Sequence, residues 1–302
     1  MLVLRSFWRH KELTAMLLVA LVFFGLFRYG PMYGLIIAFK NFNISDGILG
    51  SPWAGLEHFR RLIADPNFYR IFRNTLIINL YYVLLVFPAP IVLAVMLNEV
   101  RHRWFQRLVQ TTTYLPHFIS WVIISGLFIY FLSPSAGVVN YIIQWFGGDP
   151  IFFMGEAGYF RPVLVVSMLL KETGWNSIIF FAALSAIDPQ LYEAATVDGA
   201  KRWQRILHIT LPSLLPTITI MFILNLGGFM SMNFEQVYNF LNPLNFETGD
   251  VFDTYVYRVG LEQFQYSYTA AIGMFRSVIG LALVLLANYA ARRLSGGEQG
   301  LW

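Results

Sequence analysis

Six stretches of this chain are apolar over the length needed to cross a bilayer, and that leaves one kind of architecture open to it. A helix needs about 20 mostly apolar residues to traverse the hydrocarbon core. The stretches fall at about residues 13–39, 72–98, 108–132, 160–187, 210–234 and 268–291. Asn74 to Asn98 carries no charged residue, the fourth stretch is interrupted by Lys171-Glu172, and the sixth by Arg276. Lipid offers the backbone no hydrogen-bond partner, so such stretches must be helical. The expected fold is an all-α polytopic membrane protein with six transmembrane helices. Charged residues make up 13% of the chain, against about 25% in soluble domains. The 28 Phe, 16 Tyr and 8 Trp, many near the ends of apolar runs, fit aromatic belts at the interfaces.

The N-terminus has the basic start of a signal peptide, with Arg5, Arg9 and Lys11 before Leu13–Phe27. No small-x-small cleavage site follows, so it reads as an uncleaved first span, kinked or ended near Gly30-Pro31. Lys and Arg in short loops set the orientation. They occur in the N-terminal segment, at Arg101, Arg103 and Arg107, at Lys201, Arg202 and Arg205, and at Arg292 and Arg293. With six spans these four segments share one side, which puts both termini in the cytoplasm. Loop 40–70, with Lys40, Arg60, Arg61 and Arg70 but also Asp46, Glu57 and Asp65, reads as a small external cap. There is no internal repeat or linker, so residues 1–302 form one membrane domain. The chain has no cysteine, which excludes disulfides, thiolate metal sites and Cys nucleophiles.

The cytoplasmic loop at 188–209 has legible local physics. Asp188 can cap a helix and Pro189 suits its first position. That helix runs through Glu193, Ala194 and Ala195, and Gly199 stops it by supplying a left-handed backbone. A second helix starts near Ala200–Lys201, and Pro212 leads into the fifth span. Two readings are open from the residues alone: a helix that docks on a cytoplasmic motor, or one that lies in the membrane interface.

The sequence Glu193-Ala194-Ala195, then Asp198-Gly199-Ala200, then Ile209-Thr210-Leu211-Pro212 resembles the EAA loop of binding-protein-dependent ABC importers. The resemblance implies that Glu193, Ala194, Ala195, Asp198 and Gly199 form a coupling contact with an ATPase subunit. Four more stretches, Tyr114–Trp121, Lys171–Ser177, Asn233–Gln236 and Asp253–Arg258, extend it. They are similar to one branch of the family, the permeases that import oligosaccharides derived from polysaccharides, alginate importers among them. A type I importer permease fold is implied by the resemblance, as is a transport subunit with no catalytic residues. It also implies a set of partners: a second permease subunit, two cytoplasmic ATPase subunits that bind ATP and Mg, and an extracytoplasmic solute-binding protein. The chain itself would hold no cofactor.

Ionisable and polar groups inside spans are candidates for the substrate pathway. In the fourth span Glu172, Trp175 and Asn176 share a face by i, i+3, i+4 spacing. An aromatic ring stacks on sugar faces while amide and carboxylate bind hydroxyls; the alternative is a structural ion pair with another helix. In the fifth, Asn225, Gly228, Met232 and Glu235 share a face, with Asn233 and Gln236 close by. Gly227-Gly228 permits close packing or a broken helix, and the family resemblance puts this segment beside the substrate. In the sixth, Arg276 lies on a face with Gly273 and Gly280, so it points toward other helices. It is placed either to attract a uronate carboxylate or to neutralise Glu172 or Glu235. His117 reads as a packed residue, with no second His at metal-ligand spacing.

The chain contains no phosphate-cradling G-x-x-x-x-G-K-[ST] sequence, no G-x-S-x-G elbow and no H-E-x-x-H helix. ATP hydrolysis therefore belongs to a partner. The basic clusters beside apolar runs read as topology signals and not as a nucleic-acid surface. The other function class weighed is an ion-coupled secondary transporter, which calls for an internal repeat with paired broken helices.

Overall fold

A computed structural model describes residues 11–231 and 234–294. Among these, every regular element is helical, and extended pairing is confined to the isolated bridge Lys40–Trp53. Five helical stretches are long and apolar enough to span a membrane: Glu12–Phe39, Pro66–Asn98, Ala157–Ser185, Arg202–Gly227 and Tyr266–Arg293. A sixth is a broken pair, Arg103–Phe118 and Trp121–Phe131, bent by 102°.

In chain order the helices are α1 (Lys11–Phe24), α2 (Glu57–Ala64), α3 (Pro66–Tyr81), α4 (Pro88–Asn98), α5 (Arg103–Tyr114), α6 (Trp121–Phe131) and α7 (Val138–Trp145). They continue with α8 (Ala157–Ser185), α9 (Pro189–Val197), α10 (Arg202–Arg205), α11 (Leu211–Gly227), α12 (Phe234–Phe240), α13 (Phe252–Val256) and α14 (Tyr266–Leu294).

Proline explains the irregular turns within the spans. Wide π-type turns occupy Gly25–Tyr29, Tyr82–Val86 and Ile206–Thr210. Each is followed two residues later by a proline: Pro31, Pro88 and Pro212. Proline has no N–H and its ring crowds the carbonyl one turn back, so the preceding turn opens. The first span is thus distorted at Gly30-Pro31 but not ended there; it runs on as a 3₁₀ stretch, Tyr33–Phe39.

The chain forms two compact units. One comprises the described residues up to Asp65 with Arg258–Phe275. Within it, Lys40 Nζ donates to the carbonyls of Ile48 (2.7 Å) and Leu49 (3.1 Å) and sits over Trp53. Arg61 lies over the Tyr268 ring and donates to Gln265 Oε1 at 2.7 Å, while Tyr268 donates to Asp65.

The other unit comprises Pro66–Tyr257 with residues from Arg276 onward, and α8 is its central strut. Phe160, Leu164, Ser167, Lys171, Gly174, Ser177, Phe180 and Leu184 are all buried. Their spacing of three and four makes one stripe along the helix. Toward one end this stripe meets Ile78, Val237, Phe240 and Val251; toward the other it meets Ala94 and Leu214. Lipid gives helices no hydrophobic reason to associate, so close approach depends on small residues. Gly174 is the clearest case: a Cβ there would run into the Thr113 carbonyl on α5. Gly227 and Gly280 likewise face each other where α11 crosses α14, with a Cβ on Gly280 only 3.0 Å from the Gly227 oxygen.

Gly174→Val is expected to cost on the order of 3 kcal/mol or more, because the clash is with backbone that cannot step aside. Thermal unfolding in detergent checks this, and an unchanged melting temperature would refute the tight α5–α8 crossing.

Candidate functional site

The loop after α8 folds as its residues dictate. Asp188 accepts from the Gln190 N–H at 2.9 Å and Pro189 opens α9. Gly199 ends it at φ +77°, where the Ala200 N–H reaches back to the Ala195 carbonyl at 2.9 Å. Glu193, Ala194, Asp198 and Gly199 are exposed and Ala195 is half-buried. Leu191 and Val197 are exposed as well, so α9 presents an apolar and acidic surface that no other described residue covers. The loop is nonetheless tied to the spans. Arg202 pairs with the Glu99 carboxylate and donates to its carbonyl at 2.8 Å, just past the end of α4. Arg205 donates to Thr196 Oγ1 at 2.9 Å, and the Tyr192 hydroxyl lies 3.0 Å from Thr210 Oγ1, which is fully buried.

The break in the third span is held by Lys171. Its buried ammonium donates to the carbonyls of His117 (2.6 Å), Ile119 (2.5 Å) and Pro116 (3.4 Å). It also faces the Trp121 ring. Pro116 O also accepts from the Ile119 N–H at 3.2 Å, whereas the carbonyls of His117 and Ile119 lie at the bend that interrupts the helical ladder, where an unsatisfied group costs several kcal/mol. Beside this clamp, Glu172 accepts from His117 Nδ1 at 2.9 Å. Trp175 stacks flat on the His117 ring, with centroids 4.4 Å apart and an angle of 2°. Glu172 and Trp175 are thus engaged across α8 with the third span, the structural pairing that the sequence left as the alternative. Asn176, one turn along the same helix from Glu172, lines a cavity that neither of the other two lines.

That cavity has a volume of about 370 Å³ and lies among α3, α4, α8 and α11. Asn176, Asn225 and Gly228 line it together with Asn79, Tyr82 and Ser231. Among the described residues its wall contains no charged side chain; it is amides, hydroxyls, aromatic rings and aliphatic groups. This suits the hydroxyls and C–H faces of a sugar.

Other expected pathway residues are placed elsewhere. The fifth span stops at Gly227, short of the expected residue 234, so Glu235 does not continue the face of Asn225 and Gly228. Glu235 is exposed on α12. Gln236 is fully buried; it accepts from the Tyr82 hydroxyl at 2.5 Å and donates to Leu164 O and Ser167 Oγ. It pins α12 to α8 and orients a cavity wall without lining it. Asn233 and Met232 lie outside the described residues. Arg276 pairs with neither Glu172 nor Glu235: it donates to Asp253 Oδ1 at 2.8 Å and to Ser231 Oγ at 2.7 Å. An aspartate 23 positions upstream was invisible to helical-face reasoning, which compares residues within one helix.

Residues 86–296 match the family of binding-protein-dependent transport system inner membrane components. The chain belongs to this family. It is accordingly a permease, a transport component of an inner membrane and not an enzyme. Nucleotide handling in such systems falls to a separate ATPase. The chain is 44% identical to the polygalacturonan/rhamnogalacturonan transport system permease protein YteP of Bacillus subtilis (strain 168), over 97% of this chain and 91% of that protein. It is 30% identical to the arabinooligosaccharides transport system permease protein AraP of the same strain, over 82% and 78%. It also superposes on a chain of a bacterial ABC transporter involved in the import of the acidic polysaccharide alginate. The TM-score there is 0.90, with 42% identity, covering 98% of this permease and 100% of that chain. A second structure of a bacterial alginate ABC transporter, in complex with an alginate pentasaccharide-bound periplasmic protein, matches with a TM-score of 0.90 and 41% identity, covering 98% and 99%.

Two residues that hold this region of the permease together had weak sequence signals. Lys171 was visible as an intramembrane charge, but not as a carbonyl clamp; the nearby Pro116 was the hint. Gly174 sits three residues after it on the buried stripe. Lys171→Met is expected to destabilise the fold by about 3 kcal/mol, because three carbonyls lose a charged donor. Glu172→Gln keeps an acceptor for His117 and should cost under about 1 kcal/mol. Comparative melting of the two variants checks this, and equal losses would contradict the clamp.

Proposed function

We propose that the permease forms half of the pore of an ATP-driven, binding-protein-dependent importer of oligosaccharides released from acidic polysaccharides. Its partners would be a second permease subunit, two cytoplasmic ATPase subunits and an extracytoplasmic solute-binding protein. The observation that carries the reading is the α9 loop: an exposed helix, ended by a left-handed glycine, with its motif residues turned outward and its base bonded to two spans. In this reading Glu193, Ala194, Ala195, Asp198 and Gly199 seat in a groove of the ATPase, with Glu193 offered for a charge-assisted bond to a basic partner. Both termini and this loop face the cytoplasm. ATP binding draws the loops together, and the ties to Glu99 and Thr210 carry that movement into the spans. The relatives named for polygalacturonan/rhamnogalacturonan and for alginate support the substrate class, and the amide-lined cavity supplies a surface for sugar hydroxyls. An ion-coupled transporter is disfavoured by family membership.

In the reconstituted importer, Glu193→Lys and Gly199→Val are expected to abolish sugar-stimulated ATPase activity while the spans remain inserted. For Gly199 the β-branched side chain must adopt a backbone conformation costing about 1–3 kcal/mol. Normal stimulation in both variants would remove the docking role. Asn176→Leu and Asn225→Leu are each expected to raise the half-saturating sugar concentration by about 3–10-fold, the loss of one hydrogen bond. Unchanged uptake kinetics in both would take the cavity out of the pathway.

A further inference from the structure

The cavity wall carries no charge among the described residues, yet a guanidinium stands directly behind it. Arg276 donates to the hydroxyl of Ser231, and Ser231 lines the cavity. The Arg276 side chain is 13% exposed, and its Nε–H is buried with no acceptor, so the group retains a spare donor. Its charge is balanced by Asp253 on α13, whose Oδ1 lies 2.8 Å away and whose side chain is 20% exposed. Phe252 covers the guanidinium on another side, with 5.8 Å to the ring centroid. At this distance from bulk water, a cation without its counter-ion would set the potential of the adjoining cavity.

We infer that Asp253 is a specificity-determining residue: by cancelling Arg276 it keeps this half of the pathway electrically neutral, so that the cavity reads hydroxyls instead of selecting for carboxylates. The inference rests on the proposed role of the cavity as the sugar path, but the electrostatic part is separable from it. Removing Asp253 exposes Ser231 and the cavity behind it to an uncompensated cation, and the preference for uronate over neutral sugar rises. Removing Arg276 shifts the preference the other way. Removing both restores neutrality. A pair serving only to hold α13 against α14 would make the two single variants fail alike.

The absence of cysteine from this chain allows a direct test. Gly228 lines the cavity, and its carbonyl accepts from the Ser231 N–H at 2.7 Å. A Cβ there meets nothing nearer than the Asn225 carbonyl at 3.7 Å, so Gly228→Cys introduces a thiol without a clash. In the assembled importer, that thiol is labelled with an anionic sulfonatoethyl and a cationic trimethylammonium-ethyl methanethiosulfonate, and the mass shift of this chain is followed. Asp253→Asn is expected to raise the anionic-to-cationic rate ratio by about tenfold, and Arg276→Gln to lower it. The double variant, which keeps two amides in hydrogen-bonding reach, should return it toward the starting value. A ratio that does not move, or that moves in the same direction in both single variants, overturns the inference. Uptake of an oligouronide against its carboxyl-reduced counterpart, measured on Asp253→Asn in the cysteine-free background, is expected to shift toward the oligouronide. A shifted labelling ratio with an unshifted uptake preference would uphold the neutralising pair and count against the cavity as the sugar path.

Discussion

Inside a bilayer every backbone carbonyl must find its partner within the protein, and the break in the third span shows what that demands. The chain bends by 102° between Arg103–Phe118 and Trp121–Phe131. Near the bend the Lys171 ammonium on α8 reaches the carbonyls of His117 and Ile119, and also that of Pro116, which the Ile119 N–H meets as well. The charge that looked costly in the fourth span is what permits irregular backbone in the third. Other contacts depend on that arrangement. α8 must lie close enough for the lysine to reach, which Gly174 allows by letting α5 approach at Thr113. The same crossing brings His117 onto Glu172 and Trp175, while Met168, Asn176 and Phe180 of α8 line the cavity.

The all-helical class, the span count and the local fold of the loop after α8 were legible because they rest on signals contained within single segments. Run length makes a span, and the Asp-Pro start with a glycine stop makes the short helix α9. What could not be read were relations between segments. Glu172, Trp175 and Asn176 share a face on a helical wheel, but α8 is wrapped by neighbours on several sides. A spacing of three or four therefore does not guarantee a common partner. Arg276 was correctly expected to turn inward because of its flanking glycines. Its partner, Asp253, sits on a different helix and carries no periodic mark. The fifth span was expected to reach residue 234; Gly227-Gly228 instead ends it, freeing α12 to turn back and bury Gln236 against α8. Both options for those glycines applied: the helix ends there, and Gly227 also packs closely against Gly280.

The polar residues of the unit divide by what they satisfy. Gln236, Asn74 and Lys171 spend their donors on backbone carbonyls or on fixed side chains. They hold irregular segments at depths where water is scarce. Asn176 and Ser231 bring polar groups to the cavity, and the Asn225 amide donates only within its own helix, to Met221. Polar residues of the first kind fix the walls, and those of the second give the walls their chemistry. A cavity of this kind tolerates substitution of its lining more readily than of its frame.

The ties at the base of α9 have a mechanical corollary. Arg202 grips Glu99 at one end of the second span, and Tyr192 meets Thr210 near the start of the fifth. The far portions of those two spans, around Phe87 and Pro90 and around Met221 and Asn225, are facing walls of the cavity. The loop is therefore a handle shared by two levers whose tips enclose the same space. In the proposed docking role, a rotation applied at the handle would reach both of these walls at once.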